Sequence, residues 1–349
     1  MLALQKRTPA PGLDLVEVPA PGPLAPTEVL IRVQAVGICG SDLHVEDFSA
    51  GYEFMVPLLP VTLGHEFAGV IAAVGADVRD LYPGQRVTVW PSSPCGVCAA
   101  CAGGQEQNCT DKRTLGLMQN GAFAPLVVAR AEGLFPLPDG VDFELGALTE
   151  PLCVAARAVA TGGVGFGDRV VVLGPGTIGQ GIAAMARLAG AAEVVIVGHD
   201  DAARLTLCRA LGFDSVTDLV DPAGAAELHA LAGSADVVFE ATGRASSITD
   251  GLALLRPEGV LVATGIHHSD ATFNPTTLVR RKLTIRGSHG SRRADWASVV
   301  DLLARHGEAL RPMITHRLPL DRITEGFALA RERSASKVMI FPPTQGSLS

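Results

Sequence analysis

The stretch Gly174-Pro175-Gly176-Thr177-Ile178-Gly179 follows a short apolar run, Arg169 to Leu173, and opens a helical pattern carrying Ile178, Ile182, Met185 and Leu188. Alone, a GxGxxG triplet marks only a tight turn. Between a buried strand and a helix it is the fingerprint of a dinucleotide-binding βαβ unit. Gly174 makes the turn, Gly176 lets the backbone approach a pyrophosphate, and Gly179 permits close helix–strand packing. The helix N–H groups at Thr177, Ile178 and Gly179 then meet the phosphate charge. A second strand, Val194 to Val197, ends about 20 residues on, where an acid is expected to grip the adenosine ribose. His199 stands at that position and Asp200 follows it, with Arg204 on the next helix. The expected cofactor is NAD, because Asp200 and Asp201 would repel the extra phosphate of NADP; NADP is not excluded.

Further strands at Asp236 to Glu240, Val260 to Thr264 and Leu283 to Arg286 alternate with helices such as Ala202 to Leu211. Alternation of this kind predicts a doubly wound parallel sheet over residues 155–289. Residues 1–154 read differently, as short apolar runs ended by Pro or Gly: Glu28 to Val36, Glu66 to Val74, Gln85 to Val89, Ala124 to Val128. They predict a β-rich domain. The nucleotide unit is complete near residue 289, so residues 290–349 are expected to return to the first domain. They would do so with helices over Ala294 to Ala304 and Leu320 to Arg331 and a closing strand, Lys337 to Phe341. The fold class is therefore α/β, a Rossmann domain beside a β-rich one.

Composition narrows the partners. A net charge of −8, with no run of basic residues, argues against nucleic acid or an anionic membrane. The N-terminus MLALQKRTPAPG lacks a signal-peptide core, and charges break the longest apolar stretches. A cytoplasmic protein is expected, and its seven cysteines read as ligands or core residues rather than disulfides.

Four of them form a compact set: Cys95, Cys98, Cys101 and, after seven residues, Cys109. Tetrahedral zinc at about 2.3 Å per sulfur takes such a set, with the shell closed. Gly96, Gly103 and Gly104 supply the turns. This zinc is structural. A nucleic-acid-binding zinc ribbon is the competing reading, and the acidic chain disfavours it.

Gly37-Ile38-Cys39-Gly40-Ser41-Asp42-Leu43-His44 and Gly64-His65-Glu66 add a thiolate, imidazole and carboxylate to the same domain. A catalytic zinc takes three protein ligands and keeps one position open. The order of thiol loop, GHE, cysteine lobe and GxGxxG, running nearly end to end, resembles the zinc-containing medium-chain alcohol dehydrogenase family. The resemblance implies a GroES-like fold for the β-rich domain, two zinc ions per chain and a homodimer or homotetramer. It implies that Cys39, His65 and either Glu66 or Glu150 hold the catalytic zinc. Adjacent residues of a regular strand point to opposite faces, so His65 and Glu66 are not expected to serve together rigidly. Ser41 would hydrogen-bond the substrate oxygen, His44 would pass its proton outward, and Cys95, Cys98, Cys101 and Cys109 would hold the structural zinc.

Within the family, Glu150-Pro151-Leu152 resembles the sorbitol and polyol dehydrogenases. The Val45 to Pro60 region and Ile314-Thr315-His316-Arg317 look more like L-threonine 3-dehydrogenase, which typically has aspartate where Glu150 stands. The expected substrate is a small polar secondary alcohol, a polyol or diol; a catalytically silent nucleotide binder is the non-enzyme alternative. His267 and His268 follow a strand end within reach of the nicotinamide, with a polar loop the better reading; Arg292 and Arg293 are within reach of cofactor phosphate but read better as surface charge; Cys153 and Cys208 read as packed thiols, and Leu283 to Gly287 as a dimerising edge strand.

Overall fold

In the computed structural model, which describes residues 1–343, the chain divides into two compact units. One comprises Met1–Glu150 with the chain from Arg292 onward; the other is Pro151–Ser291.

The second unit is built on six parallel strands. In spatial order they are Val216–Asp218, Glu193–Gly198, Arg169–Leu173, Ala235–Glu240, Leu255–Ala263 and Thr284–Gly287. Numbered along the chain this is 3-2-1-4-5-6, the doubly wound order whose reversal lies between the first and fourth strands. Val171, Leu173, Val195, Val197, Val238 and Leu261 from these strands pack with Leu252 and Leu254 in one core cluster. Central parallel strands are covered on both faces, and Arg169–Leu173 accordingly reads as a near-continuous apolar run.

The first unit has a seven-stranded sheet. Its main path is Leu134–Pro136, Arg86–Val89, Glu66–Val74, Glu28–Gly37, Lys337–Phe341 and Ile314–Pro319, with Leu126–Arg130 also pairing with Glu28–Gly37. The C-terminal strand inserts beside Glu28–Gly37 (Met339 opposite Gly37, Ile340 opposite Val36), which brings residues about 300 apart in sequence together. Alternate residues Val29, Ile31 and Val33 of the Glu28–Gly37 strand are buried with Phe67, Phe123 and Phe327. A three-stranded sheet, with Leu2–Lys6 between Asp14–Glu17 and Val61–Thr62, lies outside the sequence expectations.

Several expected boundaries shift. The strand expected at Ala124 to Val128 is Leu126–Arg130: Pro125 lacks the N–H that a ladder needs. The strand expected from Val260 begins at Leu255, with an irregularity across Pro257-Glu258-Gly259, where Glu258 sits at φ 66°. The helix expected at Ala294 to Ala304 runs over Arg293–Leu310. The segment Leu320 to Arg331 splits into a 3-10 turn, Leu320–Arg322, and a helix, Ile323–Arg331. Helices Gly40–Asp47, which carries Ser41 and His44, and Thr149–Gly162, which carries Glu150, were not expected.

Candidate functional site

In the four-cysteine lobe, one ligand atom from each of Cys95, Cys98, Cys101 and Cys109 lies within 4.8 Å of the others. A two-stranded ladder, Ser92–Ser93 with Arg113–Thr114, closes the base, and a single helical turn, Ala99–Ala102, presents Cys101. Backbone N–H groups aim at the sulfurs: Cys95 N to Cys109 Sγ at 3.2 Å, Cys98 N to Cys95 Sγ at 3.4 Å. Such donors favour thiolate, and those of Cys101 and Thr110 hold Cys98 down at about 6. Cys101 goes the other way, to about 12, through desolvation and the neighbouring Cys98 sulfur, 3.5 Å from its own. Four sulfurs gathered this closely, with backbone N–H groups aimed at them, are a donor set that fits zinc.

The second cluster joins the Cys39 sulfur, a His65 ring nitrogen and a Glu66 carboxylate oxygen, again within 4.8 Å. Cys39 lies at the N-cap of helix Gly40–Asp47, two residues beyond the strand Glu28–Gly37. Gly37 pairs directly with Glu66, the first residue of the strand Glu66–Val74. His65 therefore precedes that strand, and strand alternation does not govern its direction. The alternation argument for a loosely held glutamate thus does not apply, and one ligand atom each of His65 and Glu66 lies within 4.8 Å of the Cys39 sulfur. Gly37 is required here, because a Cβ on it would stand 2.4 Å from Glu66 Oε2.

Glu66 is 1% exposed, and its Oε1 has no hydrogen-bond partner among the described residues. A buried carboxylate oxygen facing a thiol and an imidazole without a donor fits a metal ion. Its other oxygen receives Nζ of Lys337 at 2.5 Å; the same ammonium donates to the Ile38 carbonyl at 2.8 Å. Burial alone would lower the lysine, but the Glu66 and Cys39 charges outweigh it and hold Lys337 above its usual range. Asp42 is fully buried; its Oδ2 accepts from Cys39 N at 2.9 Å, and its Oδ1 stands 3.8 Å from His65 Nδ1. Burial pushes Asp42 up to about 6, against the pull of His65. His65 itself lies well above its ordinary value: burial would lower it, but Cys39 and Asp42 outweigh that. A carboxylate behind a ligating imidazole is the usual orienting device of metal sites.

Ser41 Oγ lies 3.3 Å from His65 Nε2, so its hydroxyl reaches the ligand cluster. His44 lies three residues further along the same helix and stacks on Tyr52, ring centroids 6.2 Å apart. Glu150, in the first turn of helix Thr149–Gly162, stands outside the 4.8 Å set, close enough for its charge to couple to His65 and Glu66; burial raises it to about 7. Of the two candidate glutamates, the structure brings Glu66 to the thiol and imidazole.

Sequence reasoning missed Asp42, Lys337 and Tyr52. Asp42 had a signal, an acid three residues into a helix opened by Cys39. Lys337 had only its place at the head of the apolar strand KVMIF.

In the nucleotide unit, Gly174 sits at φ 110° and Gly176 caps the helix Thr177–Leu188. A Cβ on Gly179 would lie 1.9 Å from the Gly174 carbonyl oxygen, which only glycine avoids. Thr177, Ile178 and Gly179 form the first helical turn, and buried Gln180 donates to the Pro175 carbonyl at 2.7 Å, fixing the loop. His199 and Asp200 are exposed just past strand Glu193–Gly198, Asp200 at φ 51° with its N–H on Asp218 Oδ1 at 2.9 Å. Asp201 is buried and takes Arg204 Nε on both oxygens at 2.9 Å, so its charge is matched, and of the two acids expected to repel an NADP phosphate Asp200 alone keeps an exposed carboxylate for it. Arg204 Nη1 faces the turn, 3.5 Å from where a Cβ on Gly176 would be. Cys153 and Cys208 are buried, and no cysteine forms a disulfide. No helix among the described residues is long and apolar enough to cross a membrane.

Two family profiles match the chain. The first, an alcohol dehydrogenase GroES-like domain, covers residues 25–139; the second, a zinc-binding dehydrogenase, covers residues 177–305. An L-threonine 3-dehydrogenase of Saccharopolyspora erythraea is 33% identical over 97% of this chain and 98% of its own. A sorbitol dehydrogenase of Halalkalibacterium halodurans is 33% identical over 93% of this chain and 94% of its own. Among solved structures, a zinc-binding dehydrogenase from Sinorhizobium meliloti bound to NADP superposes with a TM-score of 0.85 at 29% identity, covering 98% of this chain and 99% of that one.

Proposed function

This chain belongs to the zinc-dependent, NAD(P)-linked medium-chain alcohol dehydrogenases, and from that premise we propose that it oxidises the secondary alcohol of a small polyol or diol. The observation that carries the site assignment is the convergence of Cys39, His65 and Glu66 within 4.8 Å, with Glu66 Oε1 buried and without a partner. These three residues would hold the catalytic zinc; Cys95, Cys98, Cys101 and Cys109 would hold the structural one. The catalytic ion supplies Lewis acidity, lowering the pKa of an alcohol bound beside it.

The chain's own residues do the rest. Ser41, 3.3 Å from His65 Nε2, accepts the alcohol proton and hands it to His44 one helical turn on. Asp42 orients His65, and Lys337 holds Glu66 in place. The Gly174–Gly179 turn binds the cofactor pyrophosphate, with His199, Asp200 and Arg204 around the adenosine ribose; the cofactor carries the hydride chemistry. Arg204 is engaged by Asp201, which supports NAD over NADP. We further read the chain as a cytoplasmic homo-oligomer: its thiols are unbridged, and strand Thr284–Gly287 leaves a sheet edge with Ile285 37% exposed.

The substrate class is tested by assaying the purified enzyme with polyols, diols, simple secondary alcohols and L-threonine, each with NAD and NADP. Turnover confined to L-threonine would overturn the polyol reading, and hydride transfer from none of them would leave a nucleotide binder. With the best substrate, Ser41→Ala is expected to lower kcat by about 10²–10⁴-fold with zinc content unchanged.

A further inference from the structure

We propose that His267 is a positioning residue for the nicotinamide end of the cofactor, tethered for that task to the buried carboxylate of Glu240. The proposal rests on the dinucleotide reading of the glycine turn.

Glu240 closes the strand Ala235–Glu240, the first strand beyond the reversal of strand order, and its side chain is fully buried. Oε1 accepts from Thr242 N and Thr242 Oγ1, both at 2.6 Å, and from Gly243 N at 2.9 Å. Oε2 takes His267 Nε2 at 2.9 Å. The Glu240 carbonyl accepts in addition from Thr264 N at 2.8 Å, Gly265 N at 3.1 Å and Thr264 Oγ1 at 2.6 Å. One residue thus ties together the loops that leave two neighbouring strands. The loops interlock tightly: a Cβ on Gly265 would stand 2.3 Å from Gly243 N and 2.8 Å from Glu240 Oε2.

In a doubly wound sheet the cofactor lies across the carboxyl ends of the strands at the reversal. The half that begins with the glycine turn and carries His199 takes the adenosine. The half made by Ala235–Glu240, Leu255–Ala263 and Thr284–Gly287 therefore takes the nicotinamide. Between the anchored residues Gly265 and His267 stands Ile266, an apolar side chain left 45% exposed at those strand ends. His267 Nδ1 has no partner, so Nε2 is the ring's tether among the described residues. To donate to Glu240, Nε2 must carry the proton. Removing that donor would leave Oε2 of a buried carboxylate unmatched and free the stretch beyond Gly265, which bears Ile266, while Thr264 and Gly265 stay bound to the Glu240 carbonyl.

The test compares binding of NADH and of ADP-ribose, which lacks the nicotinamide, to zinc-loaded wild type, His267→Leu and His267→Gln by titration calorimetry. His267→Leu is expected to weaken NADH by about tenfold while leaving ADP-ribose within about twofold. His267→Gln, whose amide N–H reaches the same carboxylate, is expected to restore most of the loss. Equal weakening of both ligands would assign His267 a general structural role, and unchanged NADH binding would remove it; either overturns the proposal while the dinucleotide reading stands. Wild type that binds neither ligand would overturn both.

Discussion

Lys337 and Glu66 form an ion pair from which water is almost excluded, with side chains 2% and 1% exposed and Nζ 2.5 Å from Oε2. The lysine starts the C-terminal strand and the glutamate starts a strand of the N-terminal segment, so the pair exists only once that strand has inserted beside Glu28–Gly37. Breaking one side of a buried pair typically costs about 3–5 kcal/mol, because the survivor keeps an uncompensated charge. In protein stripped of zinc by a chelator, where no metal charge compensates Glu66, Lys337→Met should lose stability of that order in urea unfolding. Adding Glu66→Gln should return much of it, since the remaining amide carries no charge. Additive losses in the double variant would show that the two side chains do not act as a pair.

The two thiolate clusters should separate by mutation. Cys98→Ser is expected to lower the melting temperature clearly, because a closed structural site contributes folding energy. Cys39→Ser should abolish turnover with a smaller change in melting. Metal analysis should find two zinc ions in wild type and about one in each variant. Equal effects of both substitutions on melting and rate would contradict the division of roles.

Gly179→Ala should damage cofactor binding while sparing the metal sites. The new methyl would meet the Gly174 carbonyl at 1.9 Å, so the turn must open. Overpacking of this kind costs about 1–3 kcal/mol, enough to raise KM for the cofactor about tenfold or more. Wild-type KM in this variant would show that the turn does not hold the pyrophosphate.

His199→Asp should increase the preference for NAD. The substitution places an acceptor for the ribose hydroxyl at the strand end and a negative charge where NADP carries its phosphate. Arg204, the nearby cation, is already held by Asp201 at 2.9 Å. The ratio of kcat/KM for NAD over NADP should exceed one in wild type and rise about tenfold in the variant. A wild-type preference for NADP that this change reverses would assign the choice to His199 instead of the neighbouring acids.

Local spacing determined much of this protein. The glycine turn works through backbone geometry over six residues, and the cysteine lobe through turns over fifteen, so both are complete in continuous sequence. The strands Arg169–Leu173, Glu66–Val74 and Lys337–Phe341 were legible because a buried strand is an uninterrupted or alternating apolar run. Other features were settled only by the tertiary structure. Whether Glu66 or Glu150 meets Cys39 and His65 depends on where strand Glu66–Val74 begins, and that is fixed by its pairing with Gly37. The charge on Asp201 is cancelled by an arginine one helical turn on, which spacing allowed but did not require. Lys337 and His267 each find their carboxylate across strands distant in sequence, and no local pattern encodes which acid a buried cation or imidazole will meet.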